Sequence, residues 1–131
     1  MLSSASGHHQ QGAASLEFAL LLYPLLILLL GIIEFGWYFT HRIVLVNAVS
    51  AGARAGIKTE TLQDAEQAAV TVTRRAYWFG AIPNIKVEAE DGPPRLLTIV
   101  VPPFQFQPLT GFLPAGMLPR RLAAKAVLAF P

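Results

Sequence analysis

Apolar and polar positions fall into three regimes along this chain. Phe18 through Ile33 are uninterrupted by any charged side chain, and if Glu34 is tolerated the apolar run reaches Phe39. Between Leu62 and Phe79 apolar residues return at spacings of three and four, and from Ile85 onward they return at two. Each period predicts a different element.

The first regime is a membrane span. A run of about 22 residues makes roughly 33 Å of helix, close to the ~30 Å hydrocarbon thickness of a bilayer. Glu17 and Glu34 bracket its charge-free core, Phe18–Ile33, roughly 26 Å apart along the axis, away from the midplane where a charge is most costly. Pro24 has no N–H, which deprives the Leu20 carbonyl of its helical partner and predicts a kink. Tyr23, Trp37, Tyr38 and His41-Arg42 are distributed as interfacial anchors would be. The chain therefore divides into a leader, residues 1–12, a transmembrane helix, residues 13–40, and an exposed domain, residues 41–131.

The second regime is an amphipathic helix. Thr61-Leu-Gln-Asp64 reads as an N-cap with an acidic third residue. Leu62, Ala65, Ala69, Val72, Ala76 and Phe79 form one narrow apolar stripe, Arg74 and Arg75 suit the C-terminal dipole, and Gly80 is the expected stop. Upstream, Ala48, Gly52 and Gly56 repeat every four residues, a small-residue stripe that lets another helix approach closely. Its partner is either this second helix, the preferred reading, or another subunit.

In the third regime Ile85–Glu90 alternates cleanly, residues 91–94 are a turn, and Leu96–Val101 is a second strand that Pro102-Pro103 ends. Residues 104–119 read as a long apolar loop, with Phe104, Phe106, Leu109, Phe112 and Leu113 as core or, alternatively, as an exposed patch. Arg121–Phe130 alternates as a third strand, although its alanines also permit a helix. The fold class is α+β: a transmembrane helix running on into a long helix, and a second amphipathic helix on a small three-stranded antiparallel sheet.

Composition agrees. Of 131 residues 53% are hydrophobic and only 14% charged, against about 25% charged in ordinary soluble domains. A net charge of +2, with dispersed Lys and Arg, argues against a nucleic-acid partner. The chain has no cysteine, so disulfides and thiolate metal sites are excluded. His8-His9 lacks a third ligand and predicts no metal site. Glu88, Glu90 and Asp91 are acidic neighbours at a hairpin end, where exposed charges are usual. No phosphate loop, nucleophile elbow or other catalytic set appears, and neither an enzyme nor a cofactor is predicted.

The boundary before the span carries the most specific local signal. Gly12-Ala-Ala-Ser-Leu-Glu17 resembles the type IV prepilin cleavage site, in which a membrane peptidase cuts after the glycine and leaves the apolar helix in place. A cut there would create an α-amine on Ala13 that the Glu17 carboxylate of a neighbouring subunit would neutralise, since an unpaired charge in low dielectric costs several kcal/mol. Glu17 equally suits the positive end of the helix dipole on its own. Glu34 and His41, seven apart on one face, would pair with each other or with a neighbour, or Glu34 would simply reach interfacial water.

Together with the Glu17-Phe-Ala opening, Pro24, the Gly31-Ile-Ile-Glu34-Phe-Gly36 exit and the segment Val46-Asn-Ala-Val-Ser-Ala-Gly-Ala-Arg-Ala-Gly56, residues 12–58 resemble the TadE-like family, small pseudopilins of tight-adherence (Flp-type) pilus systems. The resemblance implies processing at Gly12 and Ala13 by a prepilin peptidase, and partners among other pseudopilins or pilin subunits, an inner-membrane assembly platform and the lipid bilayer. It implies a single-pass protein of the bacterial inner membrane that is pilus-associated, with the C-terminal domain extracytoplasmic. Charge alone points the other way, because Arg42, Arg54 and Lys58 follow the span and no Lys or Arg precedes it. The expected role is a minor pseudopilin that helps initiate or stabilise pilus assembly. The alternative is an unprocessed, membrane-anchored scaffold or binding subunit of a pilus or secretion complex.

Overall fold

A computed structural model describes residues 7–114 and 116–130; residues 1–6 of the expected leader lie outside them. Helix α1 runs from Gly7 to Gly56 without a break, through Pro24. The backbone is thus already helical five residues before Gly12. Among the described residues, those from Gly12 to Ile33 are exposed, except Leu30 and Gly31, which are half-buried. From Glu34 the same helix becomes the spine of a packed body, burying Tyr38, Leu45, Ala48, Val49 and Ala53. A helix normally presents one stripe to a core, and this one does so only along its second half.

Helix α2, Leu62–Ala76, folds back against that half. The Thr61 hydroxyl oxygen accepts from the Asp64 backbone N–H at 3.2 Å, the cap expected from the sequence. The helix stops at Ala76, short of Gly80, because Tyr77 turns into extended backbone and buries its ring. Its buried residues are Ala65, Ala69 and Thr73, while Val72 and Ala76 are half-buried.

The expected α+β architecture is present. Strands β1, Lys86–Glu90, β2, Leu96–Gln105, and β3, Arg121–Ala129, form an antiparallel sheet in the order β1-β2-β3. On β2, Leu97, Ile99 and Val101 alternate into the core, and Leu122 and Ala124 answer from β3. Residues 121–129 are therefore strand, not helix. Pro102-Pro103 does not end β2, as the sequence suggested. Pairing passes from Val101↔Ala124 to Phe104↔Leu122, so the prolines sit in a bulge where a missing N–H leaves the ladder intact on either side.

The sheet lies along α1 in a definite sense. Gly56 approaches Leu97, while Tyr38 packs edge-on against Phe106 at 5.4 Å. The turn end of the β1–β2 hairpin is therefore beside the end of α1, and the segment after β2 returns toward Glu34. That segment divides: Phe106 is buried, but Leu109, Phe112 and Met117 are 54%, 49% and 62% exposed. The apolar loop is core at its start, returns to pack Leu118 half-buried against the core, and is exposed between at Leu109, Phe112 and Met117.

Candidate functional site

Glu34 is the first buried residue along the described length of α1 from Gly12, and it is fully buried. One carboxylate oxygen, Oε1, accepts from the Leu109 N–H at 2.7 Å, and Oε2 accepts from the Thr110 N–H at 3.0 Å and from the Thr110 hydroxyl. Two successive backbone N–H groups aimed at one anion form a concavity suited to negative charge, and such charge-assisted bonds are stronger than neutral ones. Gly111, at φ +65°, supplies the left-handed residue that turns the chain, and the Phe112 N–H donates to Thr110 Oγ1 at 3.3 Å. A carboxylate at the foot of the domain thus holds a loop 75 residues away.

His41 belongs to a different group. Its Nδ1 lies 3.0 Å from the Tyr77 hydroxyl, in a buried hydrogen bond. The imidazole stacks on Phe79 at 3.8 Å and meets Trp37 and Phe106 edge-on at 4.6 and 5.2 Å. Burial in this aromatic box lowers the His41 pKa and raises that of Tyr77. Glu34 and His41 therefore share a face without pairing; each is engaged by a different returning segment.

The small-residue stripe seats α2 and the sheet. A Cβ added to Gly52 would collide with Thr73 Oγ1 and stand 2.7 Å from the Ala69 carbonyl oxygen. One added to Gly56 would collide with Leu97 Cδ2 and stand 3.0 Å from the Ala65 carbonyl oxygen. Ala48 is buried in the same core. All three face inward, in keeping with the intramolecular reading. Gly12, Ala13 and Glu17 are exposed on the bare helix, and a Cβ at Gly12 would meet nothing within 4 Å.

A second exposed stripe was not anticipated. Phe35, Phe39, Ile43 and Val46 are 38%, 50%, 59% and 44% exposed. At about 100° per residue they fall within a narrow arc of α1 turned away from the domain. Apolar continuity from the bare segment is the signal that would have revealed it. Leu109 and Thr110 had no such signal, because nothing local marks a backbone amide as the partner of a distant carboxylate.

On the acidic hairpin, Glu88 and Glu90 are exposed, and Asp91 makes an exposed ion pair with Arg95 at 2.9 Å. An open groove between α2 and β1 is lined by Glu66, Val70, Ile85 and Glu88. Among the described residues, no three His, Asp or Glu side chains are grouped to hold a metal. What this geometry offers is surface and packing: a bare apolar helix, an outward apolar stripe and a loop clasped to the helix.

The model of the TadE-like protein family matches residues 12–54, the same family that the residues of α1 resemble. The match begins at Gly12 and covers the bare helix and most of the helical spine. It supports a protein associated with a Tad-type pilus, a family whose members are in general not enzymes. One N-terminal helix long and apolar enough to cross a bilayer fits a single-pass anchor in such a system. No curated protein and no solved structure gives a significant match.

Proposed function

We propose that this chain is a minor pseudopilin of a Tad (Flp-type) pilus system that helps initiate or stabilise filament assembly. The observation that carries this reading is the family match beginning at Gly12 and running along a helix bare from Gly12 to Ile33. That bare length is roughly 33 Å, enough to cross the hydrocarbon once. The helix sits in the bacterial inner membrane and the α+β domain stands outside the cytoplasm. A prepilin peptidase cuts between Gly12 and Ala13, and Glu17 of one subunit then meets the Ala13 amine of its neighbour. The outward stripe from Phe35 to Val46 packs against helices of other pseudopilins or pilin subunits on the assembly platform. The chain acts as a structural subunit and performs no catalysis.

One observation favours a second reading, an unprocessed anchored scaffold. Because α1 is helical from Gly7, the Gly12–Ala13 bond lies inside a helix, and cleavage requires its first turns to open. Helix ends open at little free-energy cost, so the two readings separate by measurement. N-terminal sequencing of protein purified from membranes should return Ala13 first, and Gly12→Leu should retain the longer form. An intact leader on the wild-type chain would overturn processing and leave the scaffold.

A further inference from the structure

We infer that the loop from Pro108 to Gly111, with Phe112, is a second membrane contact: it rests in the headgroup layer of an anionic bilayer beside the emerging helix. The inference rests on the single-span reading and adds to it a site on the soluble domain. Its first support is height. The Leu109 and Thr110 amides are hydrogen-bonded to Glu34, the residue that directly follows the bare stretch ending at Ile33. If roughly 33 Å of bare helix fills a ~30 Å hydrocarbon core, Glu34 stands at its edge, where headgroups extend for about another 5–7 Å. The clasp fixes the loop at that level.

The second support is chemistry. Leu109 and Phe112 expose half their surface there, although Tyr38 and Phe106 beside them are buried. Apolar side chains at this level enter the boundary between headgroup and acyl chain and gain from it.

The third support is the polarity of charge along the domain. Exposed Arg42 lies two turns beyond Glu34, and Arg120 and Arg121 sit where β3 begins, with the Arg120 carbonyl accepting from Phe106 N–H. The six carboxylates outside α1 gather in the opposite half. Glu60, Asp64 and Glu66 lie by the α1–α2 turn, and Glu88, Glu90 and Asp91 on or just beyond β1 near the hairpin turn. Arg54, Lys58 and Arg95 share that half, and Arg95 pairs with Asp91, yet the six carboxylates outnumber them; a domain basic toward the bilayer and net acidic away from it is drawn to anionic lipid. A soluble partner at the loop would have to share this position with the membrane surface.

The chain has no cysteine, so single-cysteine variants can be labelled cleanly. The full-length protein is reconstituted in nanodiscs of phosphatidylcholine with or without phosphatidylglycerol. An environment-sensitive fluorophore is placed at Ile27→Cys, Leu109→Cys, Phe112→Cys or Val127→Cys. Val127 is exposed on β3 near the hairpin end. Lipids spin-labelled near the headgroup should quench labels 109 and 112 and shift their emission to the blue, more strongly with phosphatidylglycerol, and should leave label 127 unchanged. Paired Arg120→Glu and Arg121→Glu should abolish the phosphatidylglycerol effect. Deep spin labels should quench label 27, which reports the span alone. Quenching at 27 with 109 and 112 behaving like 127 overturns the loop contact while the span stands. Labels at 109 and 112 shielded from both lipid and aqueous quenchers would mean a protein partner, which also overturns it. Absence of quenching at 27 overturns the span and the loop contact with it.

Discussion

Glu34 and Thr110 are 76 positions apart, yet the Thr110 backbone N–H donates to the Glu34 carboxylate at 3.0 Å and its hydroxyl donates to the same oxygen. This contact ties the last loop of the domain to the helix at the residue where the helix ceases to be bare. It places one charge in a pocket made of backbone donors, where removing the acceptor strands those donors.

Glu34→Ala should therefore lower stability by about 2 kcal/mol, the usual cost of stranding partly buried donors. Glu34→Gln keeps one carbonyl acceptor and should cost less. Amide exchange at Leu109 and Thr110 is the direct measure. Faster exchange confined to these amides would report an opened clasp, and unchanged exchange in Glu34→Ala would contradict it.

Gly52→Ala should be destabilising despite its small size, since the new methyl meets Thr73 and the Ala69 carbonyl. Overpacking of this kind costs about 1–3 kcal/mol. Adding Thr73→Ala removes one obstacle and leaves the other, so the double variant should recover part of the loss. Denaturation of the full chain in detergent, followed by the emission of Trp37 and Trp78, gives the cycle.

Thr61→Ala removes the acceptor of the Asp64 N–H and should cost about 1 kcal/mol. The effect should appear as early fraying of α2 in hydrogen exchange, with α1 unaffected.

Burial holds the His41 pKa below its ordinary value near 6.5. The unfolded chain then takes up a proton as pH falls through about 6.5, and the folded chain does so only at lower pH. Stability should be full above that range, fall as pH drops below it, and stop falling once folded His41 is also protonated. His41→Phe, which retains an aromatic ring against Phe79, should flatten the midpoint of unfolding between pH 7 and pH 5. An equally steep wild-type and variant profile would assign the dependence elsewhere.

The helices and most of the sheet were legible because each rests on a period or a local bond. Thr61 announces its helix through Asp64, three residues away, and Ile85–Glu90 announces its strand by alternation. Thr73 was missed because a hydroxyl was not counted as apolar, yet its place beside Gly52 depends on size. The stop at Ala76 was missed because Tyr77 leaves the helix for a ring contact with His41, 36 positions earlier. The bulge at Pro102-Pro103 was hidden for a similar reason: whether a proline ends a strand depends on the neighbour opposite, which the local sequence does not state. For Glu34 the sequence offered His41, a neighbouring subunit or water as partners, whereas its partners within the chain are the Leu109 and Thr110 amides, and backbone amides look alike at every position.

That α1 passes from bare to packed without a linker has a mechanical consequence. Any rotation of the lower half about its axis turns the domain through the same angle. One residue inserted between Pro24 and Ile33 would swing the sheet by about 100° and lift it by about 1.5 Å relative to whatever the lower half touches. Four inserted residues would bring the facing back to within about 40° while raising the domain by roughly 6 Å. A subunit so built has no linker between its two halves at which to adjust its facing. The azimuth at which its neighbours hold the buried half is the azimuth at which its outer half is presented.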